Sequence, residues 1–526
     1  MPNNRMKSGD RNADKELYHH LRALSCDQLW KNEVMLFDRA PPQERIERVA
    51  LIRAVGVVFS ESGSAEQKEE ARLWLLGLLR DPGEKIRRYA MAAMPKIGAG
   101  AREEAALLSL LRTTENEREK KFLGQTLDKI GGVATLETLQ EEEDDALRQT
   151  AQKVKANVAR AQSPSAIRMD GVFSGSGKLR LHLRARKGLE SIVREEVEEF
   201  IAAHGKFRIG FVGSGLVELI PVAPFSLADI YTLRCFATVG FVLGTVSGAP
   251  DSASTEALAS VIASPLSQRV FKTFTAGSIR YRLNFVSKGH QRSAVRLVAN
   301  RAYAMCPEIL NDARDAPWAV DIHPTKRGDS VELRPRLTPD PRFYYRQRDV
   351  PAASHPPLAA CMARLAGRVD NDIVWDPFCG SGLELVERAL FGGARSIYGT
   401  DRSDAAIAIT QANFASANVK SVASKFVCCD FHDFANVEGL GANSATLVIT
   451  NPPMGRRVPV GNLRVLIEDL FSVAAKVLQP GGRLVFANPI KMESPQPSLK
   501  LKSRQVVDLG GFDCRLEVYL KSARTN

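Results

Sequence analysis

The stretch Ile373-Val374-Trp375-Asp376-Pro377-Phe378-Cys379-Gly380-Ser381-Gly382 decides the fold of the last third of the chain. Three strand-forming residues run into an Asp-Pro turn and two glycines, and a helix starts at about Leu383. Glycines at the carboxyl end of a strand let backbone approach a ligand where a side chain would clash. No Lys-Ser/Thr pair follows, so the turn is not a triphosphate-binding loop. Strand and helix then alternate, the pattern of a parallel, doubly wound sheet. A second strand, 395–400, ends at Asp401, 25 residues after Asp376. A carboxylate there is placed to bind ribose hydroxyls; the plainer reading is a helix N-cap, because Ser403 and Asp404 open the next helix, and both hold if Asp404 caps while Asp401 binds. A third strand, 425–428, ends in Cys429-Asp430-Phe431, where Asp430 could accept a hydrogen bond from an adenine amino group with Phe431 alongside. A fourth, 445–450, ends in Asn451-Pro452-Pro453-Met454-Gly455-Arg456-Arg457. Four strands in chain order thus bring polar or glycine-rich tips to one sheet edge, which suits a nucleoside ligand.

Moving towards the N-terminus, the pattern changes twice. Leu179 to Arg184 alternates apolar and basic residues, a strand signal, and runs into Arg186-Lys187-Gly188-Leu189-Glu190. Helices are expected at 191–203, 226–232 and 293–305, and strands at 215–221, 279–285 and 330–336, which together make a small α+β domain. Residues 178–349 hold 25 Lys and Arg against 17 Asp and Glu, most of the net charge of +12 of the whole chain. A basic surface beside a nucleoside-binding sheet points to RNA. Residues 163–177, with their Ser, Pro and Gly, read as a linker. Before it, residues 1–162 read as wholly helical. Ile52 to Gly56, Pro95 to Gly98 and Asp128 to Gly131 each close an apolar helix with glycine, and Leu79-Arg80-Asp81-Pro82 sits in a turn before Arg87, Arg88 and Ala90. Spacings of a few tens of residues indicate stacked helical pairs, and the segment resembles HEAT repeats. The acidic run Glu141 to Asp145 reads as a solvated helix start.

With those residues in place, the chain from about 178 to 521 resembles the THUMP-containing RNA guanine-N2 methyltransferases that act on tRNA and large-subunit rRNA. Asp376 to Gly382 together with Asn451-Pro452-Pro453 resembles amino-methyltransferases of nucleic-acid bases. Arg186 to Glu190 looks like an early THUMP segment, and Gly455 and Arg457 extend the Asn-Pro-Pro motif as in that family. Tyr345-Arg346, Pro351-Ala352-Ala353 and the helix 357–366 look like the family's entry to the catalytic domain. The resemblance implies a multidomain protein: HEAT-like helices at 1–162, a linker at 163–177, a THUMP-like domain at 178–340 and a Rossmann-like methyltransferase at 341–526. It implies S-adenosylmethionine as cofactor, held by Asp376, Phe378, Gly380, Ser381, Gly382, Asp401, Asp430, Phe431 and Asn451. It implies catalysis by Asn451, Pro452, Pro453 and Met454. Met454 departs from the pattern, because the family usually carries an aromatic residue there to stack on the target base. The reaction implied is methylation of guanine N2, in tRNA rather than rRNA. The alternatives are rRNA guanine N2, adenine N6 in DNA or RNA, and an inactive RNA-binding scaffold. The helical repeats would bind a protein or extend the RNA surface.

The bulk composition fits this outline. Hydrophobic residues make up 44% and charged residues 25%, ordinary for a globular chain. Eight cysteines without CxxC spacing and eight scattered histidines give neither a disulfide framework nor a zinc site. The polar start of the chain and the absence of an apolar run of about 18 residues lead to the expectation of a cytoplasmic protein with no membrane span.

Overall fold

The computed structural model describes residues 8–139, 144–175, 179–247, 252–286, 289, 291–351, 353–455 and 461–522. Glu141 to Glu143 of the acidic run, and Arg457, lie outside them. The chain divides into two compact units, Met1–Pro164 and Ser165–Asn526.

The first unit is helical among its described residues. Helices Ala50–Ser62, Glu84–Ile97, Glu117–Ile130 and Asp145–Gln162 pack one against the next. Ala65–Leu78, Ala101–Thr113 and Val133–Leu139 lie between them in sequence and against them in space. Successive helices are tied by buried acids. Glu119 pairs with Arg87 at 2.6 Å. Glu104 accepts from the Thr135 hydroxyl at 2.6 Å and from the amides of Gly132 and Thr135 at 2.7 and 2.9 Å. Of the three glycines expected to close helices, Gly98 does so in the left-handed conformation (φ 88°) and Gly131 follows the helix 117–130. Gly56 does not. It lies inside Ala50–Ser62, where a Cβ would come within 2.9 Å of Ala93 Cβ on the neighbouring helix. The absent side chain serves helix packing there, not termination.

The second unit holds two large sheets. The first has eight strands in the spatial order 309–311, 279–285, 318–325, 328–335, 238–246, 180–184, 216–221 and 207–213. Strands 279–285, 309–311 and 318–325 pair in parallel and the rest are antiparallel. Two pieces of the expected linker are paired strands. Ser165–Ile167 lies against Thr275–Gly277, and Val172–Phe173 against Phe225–Ser226. Phe173 is buried among Phe225 and Phe274.

The second sheet has seven strands: β1 Asp372–Asp376, β2 Ala394–Asp401, β3 Ala423–Cys428, β4 Ala445–Thr450, β5 Leu478–Asn488, β6 Leu499–Asp508 and β7 Asp513–Lys521. Their order is 3-2-1-4-5-7-6, with the first five parallel and β7 inserted antiparallel between β5 and β6. Alternate residues of each strand enter opposite cores, as the two-residue repeat requires. Val374, Leu447 and Val485 pack beneath helices Pro356–Leu365, Leu383–Phe391 and Asp404–Ser416. Trp375, Val448 and Phe486 pack beneath Leu463–Val477.

One joint between the two sheets centres on Glu387. Glu387, 2% exposed on the helix after the glycine turn, accepts two bonds of 2.8 Å from Arg234 and one from the Tyr345 hydroxyl. The Arg234 and Cys235 amides donate to Glu196 at 2.9 Å each. A second contact joins the Arg186–Glu190 segment to the β6–β7 hairpin. Asp508 N donates to Lys187 O at 3.0 Å, and Gln505 donates to Ser191 at 2.7 Å. Gly188 (φ 99°) is needed there, because a Cβ would sit 1.9 Å from Val506 O.

The Gly56 contact gives a direct test. Gly56→Val should lower the stability of the N-terminal unit by about 1–3 kcal/mol, the usual cost of overpacking. In urea unfolding of the full chain, Ala93→Gly added to Gly56→Ala should recover what Gly56→Ala alone loses. Equal midpoints for wild type and Gly56→Val would show that the helices do not approach there.

Candidate active site

The tips of β1 to β4 converge because the strands are parallel and in register, with Asp376 opposite Gly399 and Asp401 opposite Cys428. The glycine turn after β1 is held from three sides. Asp376, fully buried, accepts from Phe378 N at 3.0 Å and from the Thr450 hydroxyl at 2.6 Å. Asp401 accepts from Gly380 N and Ser403 N, both at 3.0 Å. On the helix 404–416, Thr410 donates to Gly380 O and Asn413 to Ser381 O, each at 2.9 Å. Gly380 and Gly382 have φ of 54° and 77°, and a Cβ on Gly382 would meet Thr410 Cγ2 at 2.8 Å. The turn therefore requires glycine on both counts. Ser403, not Asp404, caps the helix after β2.

Around this turn lies a cavity of about 1010 Å³, large enough for a nucleoside-sized ligand. Phe378, Gly380, Ser381, Asp401, Phe431, Asn451, Pro452, Pro453 and Met454 all line it. Asp376, Gly382 and Asp430 do not. Asp376 and Gly382 shape the turn from behind. Asp430 accepts from Arg402 Nε at 2.8 Å and from the His432 amide and ring at 3.0 and 2.6 Å. Burial alone would raise its carboxyl, but the bonds from His432 and Arg402 hold it below its ordinary value. Rings of Phe378 and Phe431, 4.8 Å apart, form an apolar wall.

The cavity is rich in acceptors. Asn451 Nδ2 donates to Ser354 Oγ at 2.8 Å, while Asn451 Oδ1 is buried without a partner. Behind the turn, outside the cavity lining, Asp376 Oδ2 is also buried and unpartnered. Burial, with Glu384 nearby, raises the Asp376 carboxyl well above its ordinary value. Glu384, 4% exposed, accepts from Ser354. Burial raises its carboxyl too. Acceptors beside a glycine-lined turn suit a ligand that carries amino hydrogens and a positive centre.

Among the lining residues that the sequence did not assign to the site are Ser354, His355 and Glu384, and also Arg186, whose sequence context resembled a THUMP segment instead. Burial, with Arg186 and Arg346 nearby, pushes the His355 imidazole down to about 4, so it is neutral near pH 7. One signal was available. Helix 383–391 buries Glu384, Glu387 and Arg388 among its apolar residues, so charges in it need partners inside the fold. Among the described residues, no group of three His, Cys, Asp or Glu could hold a metal ion, and no helix is long and apolar enough to cross a membrane.

Residues 344–506 match the RMKL-like methyltransferase domain. A tRNA (guanine(10)-N2)-dimethyltransferase of Methanocaldococcus jannaschii is 32% identical over 151 residues, 27% of this chain and 40% of that protein. A probable tRNA (guanine(10)-N2)-dimethyltransferase of Methanothermococcus thermolithotrophicus is 30% identical over 139 residues, 26% of this chain and 81% of that one. The alignment therefore spans less than half the length of the first relative and most of the second. Among solved structures, TrmN from Thermus thermophilus shares the fold at a TM-score of 0.51 and 19% identity, covering 65% of this chain and 99% of that one. The glycine turn, the Asn-Pro-Pro tip and the extent of these alignments agree: the chain belongs to the RMKL-like methyltransferase family.

Proposed function

We propose that this chain methylates the exocyclic N2 amine of guanine in RNA, with tRNA as the substrate. The cofactor is S-adenosylmethionine, which supplies a methyl group already activated on a sulfonium. The observation that carries the reading is the orphaned Asn451 Oδ1, a buried acceptor on a residue that lines the same cavity as the glycine turn. An exocyclic amine is a poor nucleophile because its lone pair is delocalised into the ring. Asn451 Oδ1 and the Pro452 carbonyl would accept its two hydrogens, localise the lone pair and aim it. The two prolines restrict the backbone that holds these acceptors. Asp401 would meet the ribose, Phe378 and Phe431 the adenine, and Gly380 and Ser381 the remainder of the cofactor. Met454 would pack on the target base in place of an aromatic ring. The base must leave its stack or lie unpaired to reach this cavity.

The eight-stranded sheet region is the THUMP-like, RNA-holding part in this reading. What supports it is an open groove of about 680 Å³ lined by Arg282, Arg292 and Arg296 with Phe285 and Tyr303. All three arginines are exposed. The stacked helical pairs of the first unit are HEAT-like and extend the RNA surface or bind a protein. The relatives named tRNA (guanine(10)-N2)-dimethyltransferase favour guanine over adenine.

Three measurements test these assignments. Asp401→Ala should weaken S-adenosylmethionine binding about tenfold to a hundredfold, the loss of a charge-assisted bond of about 1.5–3 kcal/mol. Calorimetry that finds unchanged affinity in the folded variant would remove Asp401 from the site. Asn451→Ala should keep cofactor and RNA affinity while single-turnover methylation of tRNA, read as N2-methylguanosine by nucleoside mass spectrometry, falls on the order of a hundredfold. Full activity would overturn the amine-orienting role. Replacing Arg282, Arg292 and Arg296 together by Ala should reduce the slope of log affinity against log salt by about 2–3, with cofactor affinity unchanged. An unaltered slope would place the RNA elsewhere.

A further inference from the structure

Asn451 can present either end of its amide to the cavity, and the two ends have opposite chemistry. Its oxygen accepts amino hydrogens, whereas its nitrogen repels them. Something must decide which end faces inward. Nδ2 of Asn451 lies 2.8 Å from Ser354 Oγ, and Ser354 Oγ in turn bonds to Glu384 Oε1. The three residues come from the tip of β4, the segment before helix 356–365, and the first turn of helix 383–391. None of them is adjacent to another in sequence. Glu384 is 4% exposed, so water does not compete strongly for its carboxylate.

We propose that Ser354 and Glu384 are positioning residues that fix the polarity of the Asn451 amide; the inference rests on the amine-orienting role of Asn451 given above. An ionised carboxylate only accepts, so with Glu384 ionised Ser354 gives its one proton to it and turns a lone pair towards Asn451. Burial raises this carboxyl, so the bias is lost as pH falls and Glu384 gains a proton. A lone pair can be met only by the amide nitrogen, which turns Oδ1 away from Ser354. The chain of two bonds runs in one direction, set at its buried end. Oδ1 is left unpartnered as a consequence, the state required of an acceptor that waits for substrate. Replacing the carboxylate by an amide removes the directionality, because glutamine can donate to Ser354 as well as accept from it.

The test uses single-turnover methylation of tRNA together with cofactor binding on the full chain. Ser354→Ala should lower the transfer rate about tenfold while S-adenosylmethionine and tRNA affinities stay within about twofold, the signature of an interaction made in the transition state. Glu384→Gln should lower the rate about threefold to tenfold in the same manner. Ser354→Thr keeps the hydroxyl and should restore most of the rate. In the Asn451→Ala background, Ser354→Ala should have no further effect, since the residue it positions is gone. If Ser354→Ala unfolds the chain, Ser354→Ala with Glu384→Leu removes the uncompensated buried acid and should show the same loss of rate. Full activity of Ser354→Ala or of that pair, beside an impaired Asn451→Ala, would overturn the positioning role and leave the function of Asn451 standing. Full activity of Asn451→Ala itself would overturn both. A Ser354→Ala effect that persists undiminished in the Asn451→Ala background would show that Ser354 acts by another route.

Discussion

Glu387 is the point on which the second unit turns. Its carboxylate lies on the helix that follows the glycine turn, and it receives Arg234 from the eight-stranded sheet region and Tyr345 from the segment entering the catalytic sheet. A buried acid is costly unless each lone pair is met, and removal of a single partner from such a pair costs about 3–5 kcal/mol. The helix 383–391 therefore cannot shift without stranding Glu387, and the glycine turn at its start cannot shift without the helix. The Arg234 guanidinium also lies 5.2 Å from the Phe343 ring, and Arg342 stacks 4.0 Å from Phe236. Two arginines thus cement the passage from one sheet to the other.

That rigidity bears on the chemistry. The methyl transfer proposed above needs an acceptor, a cofactor turn and a base-sized space held in fixed relation, and the residues proposed for them come from separate stretches of chain. Asp372 gives a second anchor beneath them, since both Arg388 and Arg483 reach its buried carboxylate, at 2.6 Å for Arg483. It links β1, β5 and the helix between 383 and 391 at the end of the sheet opposite the cavity. Position of the reacting groups is therefore a property of the core and not of the loops that carry them.

The strand tips were legible in the sequence because each carries chemistry that a plain turn does not need: glycine at 380 and 382, aspartate at 401, asparagine and two prolines at 451–453. The boundaries of β4 and of strand 279–285 follow from composition alone. Strand 238–246 escaped notice because TVGFVLGTV, a glycine-containing apolar run in the middle of a sheet, lacks alternation. Residues 163–177 looked like a linker because Ser, Pro and Gly mark turns, and nothing local reveals partners about 50 to 110 residues away. Ser354 was invisible for the same reason, and Glu384 was passed over although it sits in an apolar helix. Ser354 meets Asn451 across 97 positions, and an acid on a helix is ordinarily read as a solvated one. Gly56 shows the converse failure, where a helix-ending residue is used for close approach.

The close seating of Gly188 on Val506 has a bearing on how the protein coexists with its neighbours. Strand β6 is the outermost of its sheet, and an outer strand offers unmated amides and carbonyls to any extended chain that drifts past. Lys500 and Lys502, both exposed, guard one half of it. The other half is covered by residues 187–191, whose next neighbour, Arg186, lines the cavity. Detachment of this short segment would open the pocket wall and bare an adhesive edge in the same event. The same short segment thus shields part of an edge strand and borders the pocket.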